Sequence, residues 1–103
     1  MTKQEAEGLY EQMSDRLMEY NIPNYMYHGI LDYVVYGVMP GSFLRSVFEN
    51  KLMESYAHAD GTNTMHMREY ANMMYNFMPI GSFGEEECIA WCERGGIAGE
   101  VTE

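Results

Sequence analysis

The sequence predicts an all-α domain, a compact bundle of about five short helices. Apolar residues recur at spacings of three and four through most of the chain, and Pro, Gly and Asn punctuate it at intervals that suit short helices. No segment alternates apolar and polar residues between turns, and even the β-branched pair Val34-Val35 sits in a helical frame. Three sections follow: an amphipathic N-terminal helix over residues 1–21, a helical core over 22–95, and an acidic tail over 96–103.

Residues 3–20 set Ala6, Leu9, Tyr10, Met13, Leu17 and Tyr20 on one stripe, ending before Asn21-Ile22-Pro23. Pro23 suits the first turn of a second helix that runs to Tyr36 and stops at Gly37. That helix carries Met26, Ile30, Tyr33 and Val34 on one arc and Tyr27, Leu31 and Val35 on much of the rest. With little polar surface, it belongs at the centre of the domain or at a subunit interface. Phe43, Leu44, Val47 and Phe48 form the next apolar face. Beyond Asn50 the stripe rotates to Leu52, Tyr56 and Ala59, so a kink or a new helix capped by Asn50 is expected. Asp60-Gly61-Thr62-Asn63 marks a turn and a helix start. From Thr64 to Phe77 the inward side carries Met67, Tyr70, Ala71, Met74, Phe77 and Met78, and the other edge carries Arg68, Asn72 and Tyr75. A last helix, from about Glu85 to Arg94, opens on three glutamates that suit the helix dipole and ends at Gly95-Gly96. Ile97 to Glu103 read as a frayed end. The expected core is Met26, Ile30, Val34, Phe43, Val47, Phe48, Met67, Met74 and Phe77.

With 103 residues the chain makes one domain with a modest core. Its apolar content leans on 11 methionines and 9 tyrosines, which adapt to interfaces and ligand pockets as readily as to cores. A surplus of such side chains, together with the apolar second helix, points to a homo-oligomer. The formal charge of −10 excludes an autonomous DNA or RNA binder, whose affinity would come from a basic surface. The acids gather at the two ends, while the middle, with Arg45, Lys51 and Arg68, is nearly balanced and can meet an anion locally. No signal-peptide pattern and no membrane-spanning apolar run is evident, so a soluble protein inside the cell is expected. Cys88 and Cys92 lie four apart on a helix with no further ligands at metal-site spacing, and read as free buried thiols.

The succession Ile22-Pro23, Met26, Gly29-Ile30, Tyr33-Val34, Gly37, Pro40-Gly41-Ser42-Phe43-Leu44, Val47, Asn50, Leu52, Ala59-Asp60, Asn63, Tyr75-Asn76 and Pro79 resembles a widespread family of small proteins of bacteriophages and other mobile elements. The resemblance covers roughly residues 22–95 and centres on the Pro-Gly-x-Phe-Leu block followed by Asn-x-Leu and Ala-Asp. The chain departs from the pattern at Met39, where the family tends to have proline, at Lys51, where it tends to have aspartate, and at Phe83-Gly84-Glu85, where Trp-Gly-Ser is more usual. The resemblance implies a non-essential phage accessory protein, acting in the host cytoplasm against host defence.

One loop occurs twice: Met39-Pro40-Gly41-Ser42-Phe43 returns, with one insertion, as Met78-Pro79-Ile80-Gly81-Ser82-Phe83. Such a loop is ordinary helix-connecting chemistry, and it also presents free N–H groups to a phosphate or carboxylate. Gly41 and Ser42 with Arg45 form the first candidate anion site, and Tyr33, Tyr36 or Tyr75 offer rings on which a base can stack. Arg68, Asn72 and Tyr75 form a second candidate edge. Both clusters have a plain structural reading, since Arg45 can pair with Glu49 at i,i+4 and the Arg68 edge can be a wet helix face. No phosphate loop, metal motif or nucleophile with a base is present, so neither catalysis, cofactor nor metal is expected. The functional expectation is sequestration of a small anionic nucleotide, such as a cyclic-nucleotide immune signal. The alternative is an acidic, DNA-imitating inhibitor of a host defence or nucleic-acid enzyme, although acids gathered at two ends imitate DNA poorly.

Overall fold

A computed structural model describes residues 1–99, and its regular elements are all helical. Helix α1, Lys3–Leu17, starts at a capping box in which the Thr2 hydroxyl accepts from the Glu5 N–H at 3.1 Å and the Glu5 carboxylate accepts from the Thr2 N–H at 3.0 Å. Its inner stripe, Ala6, Met13 and Leu17, continues through a 3-10 turn at Met18–Tyr20 before Asn21, at φ 57°, turns the chain. Pro23 precedes a second 3-10 turn, Asn24–Met26, and α2 follows as Tyr27–Tyr36.

Helix α2 is the axis of the molecule. Ile30, Leu31, Tyr33, Val34 and Val35 are all at most 1% exposed, each such aliphatic side chain contributing about 1.5–3 kcal/mol through burial. Its apolar girth is therefore covered by the chain itself, which resolves the choice between central helix and subunit interface in favour of the centre. The helix stops at Gly37, whose φ of 69° favours glycine and whose Cα faces the Gly96 backbone too closely for a Cβ.

The next segments divide more finely than the expected five-helix bundle. Helix α3 is Ser42–Phe48, α4 is Leu52–His58, α5 is Gly61–Met65, α6 is Met67–Asn76 and α7 is Glu85–Arg94, so seven α-helices lie among the described residues. Asn50 separates α3 from α4 by adopting φ 63°, and Lys51, not Asn50, occupies the N-cap of α4. Asp60 caps α5, accepting from the Asn63 N–H at 2.6 Å. Gly95, at φ 84°, ends α7.

Ile30, Val34, Phe43, Val47, Phe48 and Phe77 are buried as expected, whereas Met26, Met67 and Met74 are only half-buried at the edge of the core. Met73 takes the fully buried place on α6, one residue out of phase with the expectation for Met74, and Ala71 is exposed. On α4 the expected stripe is turned outward: Leu52 is 68% and Tyr56 49% exposed, while Ser55 is buried with its hydroxyl donating to the Lys51 carbonyl at 2.7 Å. Cys88 is a buried and Cys92 a half-buried free thiol. The expected fraying does not begin at Ile97, because the N–H groups of Ile97 and Ala98 donate to the Val34 and Val35 carbonyls at 3.0 and 2.9 Å. The rest of the acidic tail lies outside the described residues. No helix among those described is long and apolar enough to cross a membrane.

Candidate functional site

The two similar loops do different work. In the second, the buried Ser82 donates its hydroxyl to the Pro79 carbonyl at 2.6 Å, its own carbonyl accepts from the Tyr33 hydroxyl, and the Gly84 N–H donates to the Phe48 carbonyl at 2.7 Å. The Trp91 indole N–H donates in turn to the Tyr33 carbonyl at 2.9 Å. These bonds fix residues 79–84 against α2 and α3 and tie α7 to α2, and the Phe83 ring stays partly exposed at the surface.

Phe83 forms one rim of a cleft of about 520 Å³. Val47 of α3, Asn50 and Lys51 of the connection, and Leu52 and Ser55 of α4 form one side; Met67, Tyr70, Ala71, Met74 and Tyr75 of α6 form the other. The α6 wall is tied to the start of α5 by a buried hydrogen bond, with an exposed one beside it. The Tyr70 hydroxyl donates to the Asn63 side-chain oxygen at 2.6 Å, and the Tyr25 hydroxyl donates to Asp60 at 2.7 Å, so the turn that starts α5 is tied to both neighbours. Burial pushes the Tyr70 phenol well above its ordinary value and keeps it a neutral donor. Phe43 packs edge-on against the Tyr70 ring, with centroids 5.0 Å apart.

The cleft lining is aromatic, methionine-rich and free of carboxylates, in a protein with a formal charge of −10. Lys51 is its one charged lining residue, and its ammonium lies 3.4 Å from Glu85, 3.6 Å from Glu49 and 4.0 Å from Glu54. Burial disfavours that charge, but the three carboxylates outweigh it and hold the ammonium above its usual range. Arg68, one turn before Asn72 and two before Tyr75 on α6, is exposed and has no ion-pair partner among the described residues.

The eight residues singled out from the sequence do not form one site. Tyr33 is completely buried, its ring stacked on Phe48 at 4.4 Å, and a base has no access to it. Tyr36 is half-buried beside Tyr10, at 6.1 Å between centroids, and does not line the cleft. Gly41 is the exposed N-cap of α3. Ser42 and Arg45 border a separate hollow of about 310 Å³ that also presents Lys51 and His58 and the three carboxylates of Glu49, Glu54 and Glu85. Arg45 is held by Glu49 at 3.3 Å, the i,i+4 pair anticipated as its structural role, so this hollow offers a phosphate more repulsion than attraction. On the α6 edge, Tyr75 lines the cleft and is 91% exposed, while the Asn72 side-chain oxygen accepts from Asn76 at 2.7 Å.

Sequence reasoning passed over Phe83, Leu52 and Lys51 and assigned Met67 and Met74 to the core. The sequence did carry signals at these positions: Lys51 belongs to the nearly balanced middle, Leu52 to an apolar stripe and Phe83 to the second copy of the loop, and positions 51 and 83 depart from the resemblance pattern. Among the described residues no group of His, Cys, Asp and Glu is arranged to hold a metal ion. Comparison with family models, curated proteins and solved structures gave no match to the chain.

Proposed function

We propose that the protein binds and sequesters a small anionic nucleotide without altering it, and that the cleft between α4 and α6 is where it does so. One observation carries this reading: an apolar cleft of nucleobase-holding size, rimmed by exposed aromatic rings and lined by no carboxylate, in an otherwise acidic molecule. Tyr75 and Phe83 supply stacking faces and Met67 and Met74 supply adaptable walls; Arg68, outside the cleft lining but exposed on the same helix as Tyr75, supplies a charge for a phosphate that extends beyond the cleft. The resemblance to phage accessory proteins favours a signalling nucleotide of host immunity, such as a cyclic dinucleotide, as the cargo.

Calorimetric titration against a panel of cyclic dinucleotides tests the reading. Tyr75→Ala is expected to cost about 1–3 kcal/mol of affinity through lost stacking, roughly fivefold to a hundredfold. Arg68→Ala is expected to cost about 1.5–3 kcal/mol through a lost charge-assisted contact. Arg45→Ala, whose guanidinium already serves Glu49, is expected to leave affinity nearly unchanged. Absence of binding across the panel, or an Arg45 effect larger than those of Tyr75 and Arg68, overturns the assignment of the cleft. The alternative, an acidic inhibitor of a host protein, draws on Ile80, which is 96% exposed outside the cleft. Loss of pull-down of a host protein by Ile80→Asp, with no nucleotide bound, favours that alternative.

A further inference from the structure

We infer that the sulfurs of Met39, Cys88 and Cys92 form a binding site for one soft monovalent metal ion, Cu(I), where α7 meets the loop before α3. The two cysteines are the only ones in the chain, and they stand one turn apart on α7, where side chains at i and i+4 are neighbours. Met39 reaches them from 49 residues away in the chain, with its Sδ 4.0 Å from the Cys88 Sγ. Two ligands about 2.3 Å from one ion at a trigonal angle of about 120° stand about 4 Å apart, so this pair is already spaced to share an ion. Cys88 is fully buried, whereas Cys92 and Met39 are half-buried. Cys88 therefore closes the site from inside, and an ion reaches it past Cys92 and Met39.

The ligand set selects the ion. Thiolate and thioether sulfurs are soft donors that favour Cu(I), whereas structural zinc takes four ligands and calcium or magnesium takes oxygens. Among the described residues no His, Asp or Glu joins the two cysteines as a metal-holding group, so the thioether is what brings the set to three. Burial pushes both thiols above their ordinary value, and each keeps its proton until the ion displaces it. Binding forms two Cu–thiolate bonds and one Cu–thioether bond and releases two protons to solvent; the copper stays Cu(I), and nothing is oxidised or reduced. The product carries one net negative charge, which the Arg45 guanidinium offsets, since it favours the ionised form of both sulfurs. At Cys88 the Tyr33 hydroxyl also favours the thiolate and the Glu49 carboxylate opposes it. The site shares no residue with the lining of the α4–α6 cleft, so it stands whether or not that cleft takes a nucleotide.

Anaerobic titration of the reduced full chain with Cu(I) held by bicinchoninate, and separately with Zn(II), tests the site. The wild type is expected to withdraw one equivalent of Cu(I) from the chelator and to release two protons as it does so. Met39→Leu keeps the bulk of the side chain and loses its sulfur, so it is expected to keep the wild-type circular-dichroism spectrum and to bind Cu(I) about tenfold or more weakly. Cys92→Ser, at the half-buried end, is expected to lose the competition with the chelator. Alkylation by iodoacetamide, mapped by peptide mass, gives a readout in the wild type alone: Cu(I) is expected to protect Cys92. No withdrawal of Cu(I), Zn(II) held as tightly as Cu(I), wild-type affinity in either variant, or alkylation of Cys92 indifferent to Cu(I) overturns the site.

Discussion

Removing the Asn63 carboxamide deprives the buried Tyr70 hydroxyl of its acceptor, and an unsatisfied buried donor is costly. Asn63→Ala is therefore expected to destabilise the fold by about 1–3 kcal/mol in urea denaturation, and to loosen the α6 wall of the cleft. The neighbouring Asp60 adds a pH dependence. The Asn63 N–H and then the Tyr25 hydroxyl donate to its carboxylate and lower its pKa from the ordinary 3.8. The stability it contributes is accordingly full above 3.8 and lost as pH falls through the depressed folded value. The urea midpoint of Asp60→Ala should lie below that of the wild type at neutral pH, with the gap closing in acid. A gap that persists undiminished well below the folded value places the effect elsewhere. At this scale the sequence was only partly legible. The Arg45–Glu49 pair and the Gly37 stop were readable from local spacing, whereas the burial of Tyr33 depends on Phe48, Ser82 and Trp91, residues far apart in the chain.

Helices announced by strong periodicity were legible, and the inversion of α4 was not. Helical spacing groups Leu52 with Tyr56 but does not say which way the group faces; the left-handed Asn50 and the satisfied inward hydroxyl of Ser55 decide that. The same limit explains the shift from Met74 to Met73 on α6, since adjacent methionines serve either phase equally well. Two substitutions separate the roles of α3 and α4. Phe48→Ala, in the fully buried ring stacked on Tyr33, should cost about 3–5 kcal/mol of stability. Met53→Glu, on the outward face, should change it by no more than about 0.5 kcal/mol. A large loss of stability for Met53→Glu would mean that α4 buries this residue within its own chain.

Across the molecule, the excess of negative charge and the carboxylate-free cleft set up opposing fields. Long-range repulsion slows the approach of an anion, and added salt screens it, so the association rate of a cyclic dinucleotide should rise with ionic strength in stopped-flow measurements. A fall in that rate would mean that attraction by Arg68 and Lys51 reaches beyond the cleft. Composition made the acidity legible, and local spacing made the Arg45–Glu49 pair legible; that Glu54 and Glu85 also border the Arg45 hollow, while Arg68 has no ion-pair partner among the described residues, depends on the tertiary arrangement. Native mass spectrometry of the protein incubated with a cyclic-dinucleotide panel, followed by chromatography of what heat releases, tests sequestration most directly. Sequestration requires an adduct of intact nucleotide mass that is returned unchanged and is lost in Tyr75→Ala; no adduct, an adduct indifferent to Tyr75, or recovery of a cleaved product overturns it.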